Sequence, residues 1–141
     1  MASYNKINSF PLDLGNKVHN VSADALTIAL TTTANKPVST NTVLANLTQI
    51  SYTNLSSRVP TITSWTQTTG TAKLILADLQ LLASGGSVAA FGAIVLYNDT
   101  PAGTPTDPLI AWWEYGSDVT LAATETFTLD FDGSGGVFTI A

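Results

Sequence analysis

Residues 125–132 read ETFTLDFD, an unbroken alternation of polar and apolar side chains. An extended chain turns successive side chains to opposite faces, so Thr126, Thr128 and Asp130 share one face and Phe127, Leu129 and Phe131 the other. A period of two is the signature of a half-buried β-strand and does not fit one face of a helix. Beyond it, Asp132-Gly133-Ser134-Gly135-Gly136 reads as a turn into residues 137–141, which predicts a closing β-hairpin.

The same pattern extends outward. Residues 109–115 (LIAWWEY) form the preceding strand, closed by Gly116, and residues 88–98 (VAAFGAIVLYN) are apolar on both faces, as a strand covered on both sides must be. Between them, residues 98–108 (NDTPAGTPTDP) hold Pro101, Pro105 and Pro108 and form a loop. Residues 72–82 (AKLILADLQLL) suit a helix by composition, but their glycine brackets and strand neighbours make them one strand. Residues 61–69 (TITSWTQTT) and 24–31 (DALTIALT) alternate again, with Leu26, Ile28 and Leu30 on one face. Two stretches depart. Phe10, Leu14, Val18 and Val21 have helical spacing, and residues 41–50 read as a helical turn capped by Asn41. About eight short strands with frequent turns predict an all-β fold, a jelly-roll-like β-sandwich. Residues 1–23 form a short N-terminal arm or helix, and residues 24–141 a single domain.

Composition agrees with one domain. The chain has 141 residues, within the roughly 100–200 served by one core. Only 11% of residues are charged, less than half the roughly 25% of an average soluble domain. The exterior is therefore clothed in Thr, Ser, Asn and Gly, which resists association poorly and points to a chain that works bound to something. A net charge of −5 opposes binding to a phosphate backbone, and Lys6, Lys17, Lys36, Arg58 and Lys73 form no patch. The N-terminal residues lack a signal-peptide layout, and no apolar run approaches the ~18 residues of a membrane span. A soluble protein made in the cytosol is the expectation.

Chemistry is hard to find. There is no cysteine, which excludes disulfides, thiolate metal sites and cysteine nucleophiles. His19 is the one histidine, no serine sits in a G-x-S-x-G elbow, and no phosphate-cradling glycine motif occurs. The acids Glu114, Asp118 and Glu125 are scattered along the chain. Asp130-x-Asp132-Gly133-x-Gly135 has oxygen ligands on a tight turn but lacks the remaining ligands of a calcium loop, so a glycine-rich turn entered by acids is preferred. No catalytic residue, no cofactor-binding residue and no metal ligand is assigned, and the chain is expected not to be an enzyme.

Trp112-Trp113 carries more information. On a strand only one of two adjacent indoles can enter the core. The other, with Tyr115 on the side of Trp113, lies at the surface, under a loop or in an interface, where Trp and Tyr are enriched. Stacking on a carbohydrate is a further use of an exposed indole.

Several segments together resemble a group of small tailed-bacteriophage virion proteins. The opening SYNKINSFPLDLGNKVHNVSADALTIALTTT matches their Tyr-Asn-Lys-Phe-Asn-x-Phe arm, Asp-Leu, His-Asn and following strand. The match continues through Leu76-Ala77-Asp78, Ala83-Ser84-Gly85-Gly86, Val95-Leu96-Tyr97-Asn98-Asp99-Thr100, Pro108-Leu109-Ile110-Ala111-Trp112-Trp113-Glu114-Tyr115-Gly116 and Thr126-Phe127-Thr128-Leu129-Asp130-Phe131. Residues 50–58 (ISYTNLSSR) depart from the group's Gly-Tyr-Thr-x-Gly-Gly stretch. The resemblance implies a virion structural protein, a capsid decoration or cement protein that binds the major capsid protein on the outer head surface. It implies a homotrimer without direct nucleic-acid or membrane contact. A head–tail connector or tail component is the alternative, and a carbohydrate-binding β-sandwich another. The expected interface residues are Tyr4, Phe10, Leu14 and Val18 of an arm that orders on contact, with Trp112, Trp113 and Tyr115.

Overall fold

In the computed structural model, which describes residues 2–141, the apolar residues of Phe91–Asn98 form a strand whose every side chain is buried. Around it a four-stranded antiparallel sheet assembles in the order β1 (Asn5–Lys6), β7 (Leu109–Val119), β6 (Phe91–Asn98), β2 (Leu26–Thr31). Both faces of this sheet are covered over β2, β6 and the first half of β7, which is why β2 is buried at all six positions, its Thr27 and Thr31 included.

The opposite layer is a ribbon of three chain passes. β3 (Ile62–Thr68) turns through Thr69 and Gly70, both at positive φ, into β4 (Thr71–Leu76). Positive φ at both central residues suits the two-residue hairpin turn whose twist matches that of the strands. After Ala77 and Asp78 the chain continues as β5 (Leu79–Leu82). β8 (Thr126–Leu129) lies antiparallel to β5, and β9 (Phe138–Ile140) lies antiparallel to β4. The two layers meet in one hydrophobic cluster in which Phe91 packs edge-on against Phe127, ring centroids 5.2 Å apart. This is an all-β sandwich, as the alternating segments predict.

Four local expectations are corrected. Residues 72–82 are two strands, β4 and β5. The ladder is interrupted at Ala77 and Asp78, and Asp78, a poor strand residue, accepts the Phe131 N–H at Oδ1 (3.0 Å) and serves as a joint. Residues 132–136 do not close a hairpin. β8 and β9 pair with successive stretches of the same neighbouring pass, so they are two halves of one interrupted strand, and residues 130–137 are an excursion from it. Gly116 does not close β7. It sits within the strand at φ +104 where the register to β6 shifts, and Gly92 opposite it leaves room for the bulged segment. A Cβ on Gly92 would lie 2.9 Å from the Ser117 carbonyl oxygen, closer than real Cβ contacts allow. Asn41 does not cap the turn at Leu44–Asn46; Asn46 does this instead, its Oδ1 accepting the N–H groups of Thr42 and Val43.

The outer edge of β2 would be an open row of donors and acceptors, but residues 50–58 close it without forming a strand. Ile28 donates to the Arg58 carbonyl at 2.9 Å, and the Arg58 guanidinium donates back to the Ile28 carbonyl. Ile50 donates to the Leu30 carbonyl at 3.0 Å, and Leu30 donates to the Tyr52 hydroxyl at 3.0 Å. The Arg58 guanidinium lies 3.7 Å from the centre of the Tyr52 ring, which fixes the side chain in place.

The arm is ordered within the domain. β1 pairs Asn5 with Trp112 and Lys6 with Ala111, the helix α1 (Phe10–Gly15) follows, and Ile7, Phe10 and Val21 are buried in the core. Pro11 suits the first turn of α1, where its missing N–H has no partner to lose.

Candidate interaction surface

The alternation of β7 decides which aromatic side chains reach the exterior. Trp112 is buried, on the face that Pro37 and Val38 border. Trp113, on the opposite face, is half-buried, and Tyr115 is 55% exposed. One indole is thus inside, and the neighbouring aromatic pair reaches outward, as strand geometry requires.

Trp113 and Tyr115 form one wall of a cleft of about 360 Å³ where the two layers part. Tyr4, carried across by β1, packs edge-on against Trp113 at 5.7 Å. The other wall is β8 and the residues after it. Phe131 meets Trp113 at 6.1 Å, and Phe127 meets Tyr115 at 5.2 Å. Edge-to-face packing satisfies the ring quadrupoles, so these side chains hold each other in place while leaving an apolar floor. Burial raises the Tyr4 hydroxyl to about 12, so it stays a neutral donor at any physiological pH.

Asp130 and Asp132 stand at the lip of this cleft. Asp132 Oδ1 accepts the Ser134 N–H, the Ser134 hydroxyl and the Gly135 N–H at 2.7–2.8 Å. These bonds, that of Gly135 first, hold its carboxyl below the usual carboxylate range. This is an aspartate shaping a glycine-rich loop, and among the described residues no three metal-capable side chains converge.

Of the seven expected interface residues, the structure brings Tyr4, Trp113 and Tyr115 together. Phe10 and Trp112 are 3% and 8% exposed and belong to the core. Leu14 and Val18 are half-buried, with Leu14 packed against the core beside a shallow depression between α1 and β9. Sequence reasoning missed Phe127 and Phe131 as cleft residues. The signal was present, because residues 125–132 place two aromatic rings on one strand face, and only the pairing partner was unknown.

His19 belongs to a separate buried cluster. Asn98, fully buried at the end of β6, accepts the Thr100 N–H at Oδ1 (3.0 Å), which orients its Nδ2 toward His19 Nδ1 at 3.1 Å. Nδ2 also donates to Asp24 Oδ2, which in turn accepts the Asn20 N–H at 2.7 Å. His19 therefore accepts at Nδ1 and carries its proton on Nε2, which is buried without a partner. Burial lowers the His19 pKa, against the pull of Asp13 and Asp24. The cluster ties residues 19–24 to the end of β6.

Compared with known proteins, the chain matches no family model, no curated protein and no solved structure.

Proposed function

We propose that the chain is a structural protein of a tailed-bacteriophage particle, a decoration or cement protein that acts by contact and not by catalysis. In this reading it sits as a homotrimer on the outer head surface and bridges neighbouring major capsid subunits. The observation that carries the proposal is the in-order resemblance running from the Tyr4-Asn5-Lys6 arm to Thr126–Phe131. A charge-poor exterior that leaves Leu12, Val38, Val59 and Tyr115 more than half exposed supports it, because such side chains gain by being covered. The mechanism is mass action. A protein that binds only the assembled lattice shifts the balance toward that lattice in proportion to its affinity and concentration.

The test is to add the purified chain to expanded phage heads that lack it and count bound copies by cryo-electron microscopy. Hundreds of copies at regular lattice positions are expected. Six or twelve copies at a single vertex would assign the chain to the connector or tail, and no binding to heads or tails would sink the virion reading.

A further inference from the structure

The aromatic cleft is bordered by every residue from Phe127 to Asp132. Side chains of a strand alternate between faces, so a cleft that meets consecutive residues abuts the strand's edge and not one of its faces. β8 has a single neighbour, β5, and its other edge is unpaired. The cleft therefore combines aromatic walls with a row of free backbone donors and acceptors. Among the described residues Asp130 and Asp132 line it and no Lys or Arg does. Lys36 and Arg58 are engaged elsewhere, with Glu114 and the Ile28 carbonyl. Lys73, bonded to the Ser134 carbonyl, stands beside Asp132 and leaves Asp130 as the carboxylate without a cationic neighbour.

We propose that this cleft binds an extended peptide segment of a partner protein, one carrying Arg or Lys beside apolar residues, which adds to β8 as a further strand. Backbone pairing to an exposed edge supplies affinity that does not depend on sequence, and alternate side chains supply the selection. The apolar side chains of the segment lie on Phe127 and Phe131. Trp113 and Tyr115, packed on Phe131 and Phe127, wall the same apolar side, and the cationic groups, alternating to the other face of the added strand, meet Asp130 and Asp132. A neutral sugar would use the rings but leave the Asp130 carboxylate without a counter-charge. The inference holds whether or not the partner is a capsid subunit.

The test uses the isotope-labelled full-length chain and three blocked six-residue peptides in which valine alternates with arginine, glutamine or glutamate. The arginine peptide is expected to saturate, to shift the amides of residues 126–132 and the Trp113 indole, and to slow amide exchange along β8. The glutamine peptide should bind about tenfold more weakly, and the glutamate peptide not measurably. Tyr115→Ser and Asp130→Asn, both at exposed side chains, should each weaken the arginine peptide in a chain that still unfolds cooperatively, with Tyr115→Ser lowering the thermal midpoint by only a few degrees through the lost contact with Phe127. Equal binding of the arginine and glutamine peptides, shifts confined to another face, or affinity indifferent to Tyr115→Ser would overturn the proposal. So would maltohexaose occupying the cleft where the arginine peptide does not.

Discussion

Replacing Asn98 by leucine keeps the size of the side chain and removes its polarity at the most connected point of the buried cluster. His19 Nδ1 loses its donor and is left unsatisfied inside the protein, which costs about 1–3 kcal/mol. Asp24 Oδ2 keeps the Asn20 N–H but loses a bond to a charged acceptor, about 1.5–3 kcal/mol. The Thr100 N–H lies near the surface and turns to water, adding about 0.5 kcal/mol. Burying the leucine side chain returns about 1–2 kcal/mol. The balance is a loss of about 3 kcal/mol, a large share of the roughly 5–15 kcal/mol that holds a domain folded. Urea unfolding followed by tryptophan fluorescence should show a lower midpoint with unchanged slope, and the thermal midpoint should fall by about 10 °C. Adding His19→Phe to the same protein should recover part of the loss, because the orphaned nitrogen is gone and neighbouring changes do not add. A loss below about 1 kcal/mol, or strict additivity with His19→Phe, would refute the claim that these bonds lock residues 19–24 to β6.

Other expectations follow from the same geometry. Because burial lowers the folded pKa of His19, the unfolded chain binds a proton first, so stability is complete above about 6.5 and declines as pH falls from there toward the folded pKa. Urea midpoints at pH 7.5 and 5.5 should differ in the native chain and differ less in His19→Phe; equal differences in both would refute it. Gly92→Ala should cost about 2 kcal/mol, since the new Cβ would run into the Asp118 carboxylate and lie 2.9 Å from the Ser117 carbonyl oxygen, and a neutral result in the same urea assay would deny the tight bulge. Thr31→Val should raise stability by about 1 kcal/mol, because the Thr31 hydroxyl is fully buried without a partner; calorimetry showing a lower thermal midpoint would mean that it has one.

The elements that could be read in the sequence are those whose burial is set by their own pattern. Residues 125–132 alternate and residues 88–98 are almost wholly apolar, and each holds a strand that carries core side chains, Thr126–Leu129 and Phe91–Asn98; residues 130–132 keep the alternation but lie outside the strand. What could not be read is long-range pairing. Asp132–Gly136 has the composition of a hairpin turn, and composition is blind to the fact that β4, more than sixty residues earlier, outcompetes β8 as the neighbour of β9. Asp78 looked like a polar position inside a strand, and only the approach of Phe131 makes it a joint. In the candidate surface, strand alternation separated Trp112 from Trp113 correctly. It could not show that Phe10 lies beneath the sheet edge against Phe138, with ring centroids 4.9 Å apart, or that Phe127 and Phe131 complete the cleft.

The interrupted strand has a practical side. The detour is anchored at its ends, by Phe131 on Asp78 and by Val137, whose N–H donates to the Leu74 carbonyl at 2.8 Å, so the two sheet segments on either side do not depend on the length of the tip between them. A closed loop loses only about 0.6 kcal/mol for each doubling of its length. The tip at Gly133 and Ser134, exposed and held at its base by Asp132, is therefore a natural insertion point. A foreign epitope spliced there would be presented on a rigid β-scaffold, and on a particle surface it would be repeated once for every copy bound.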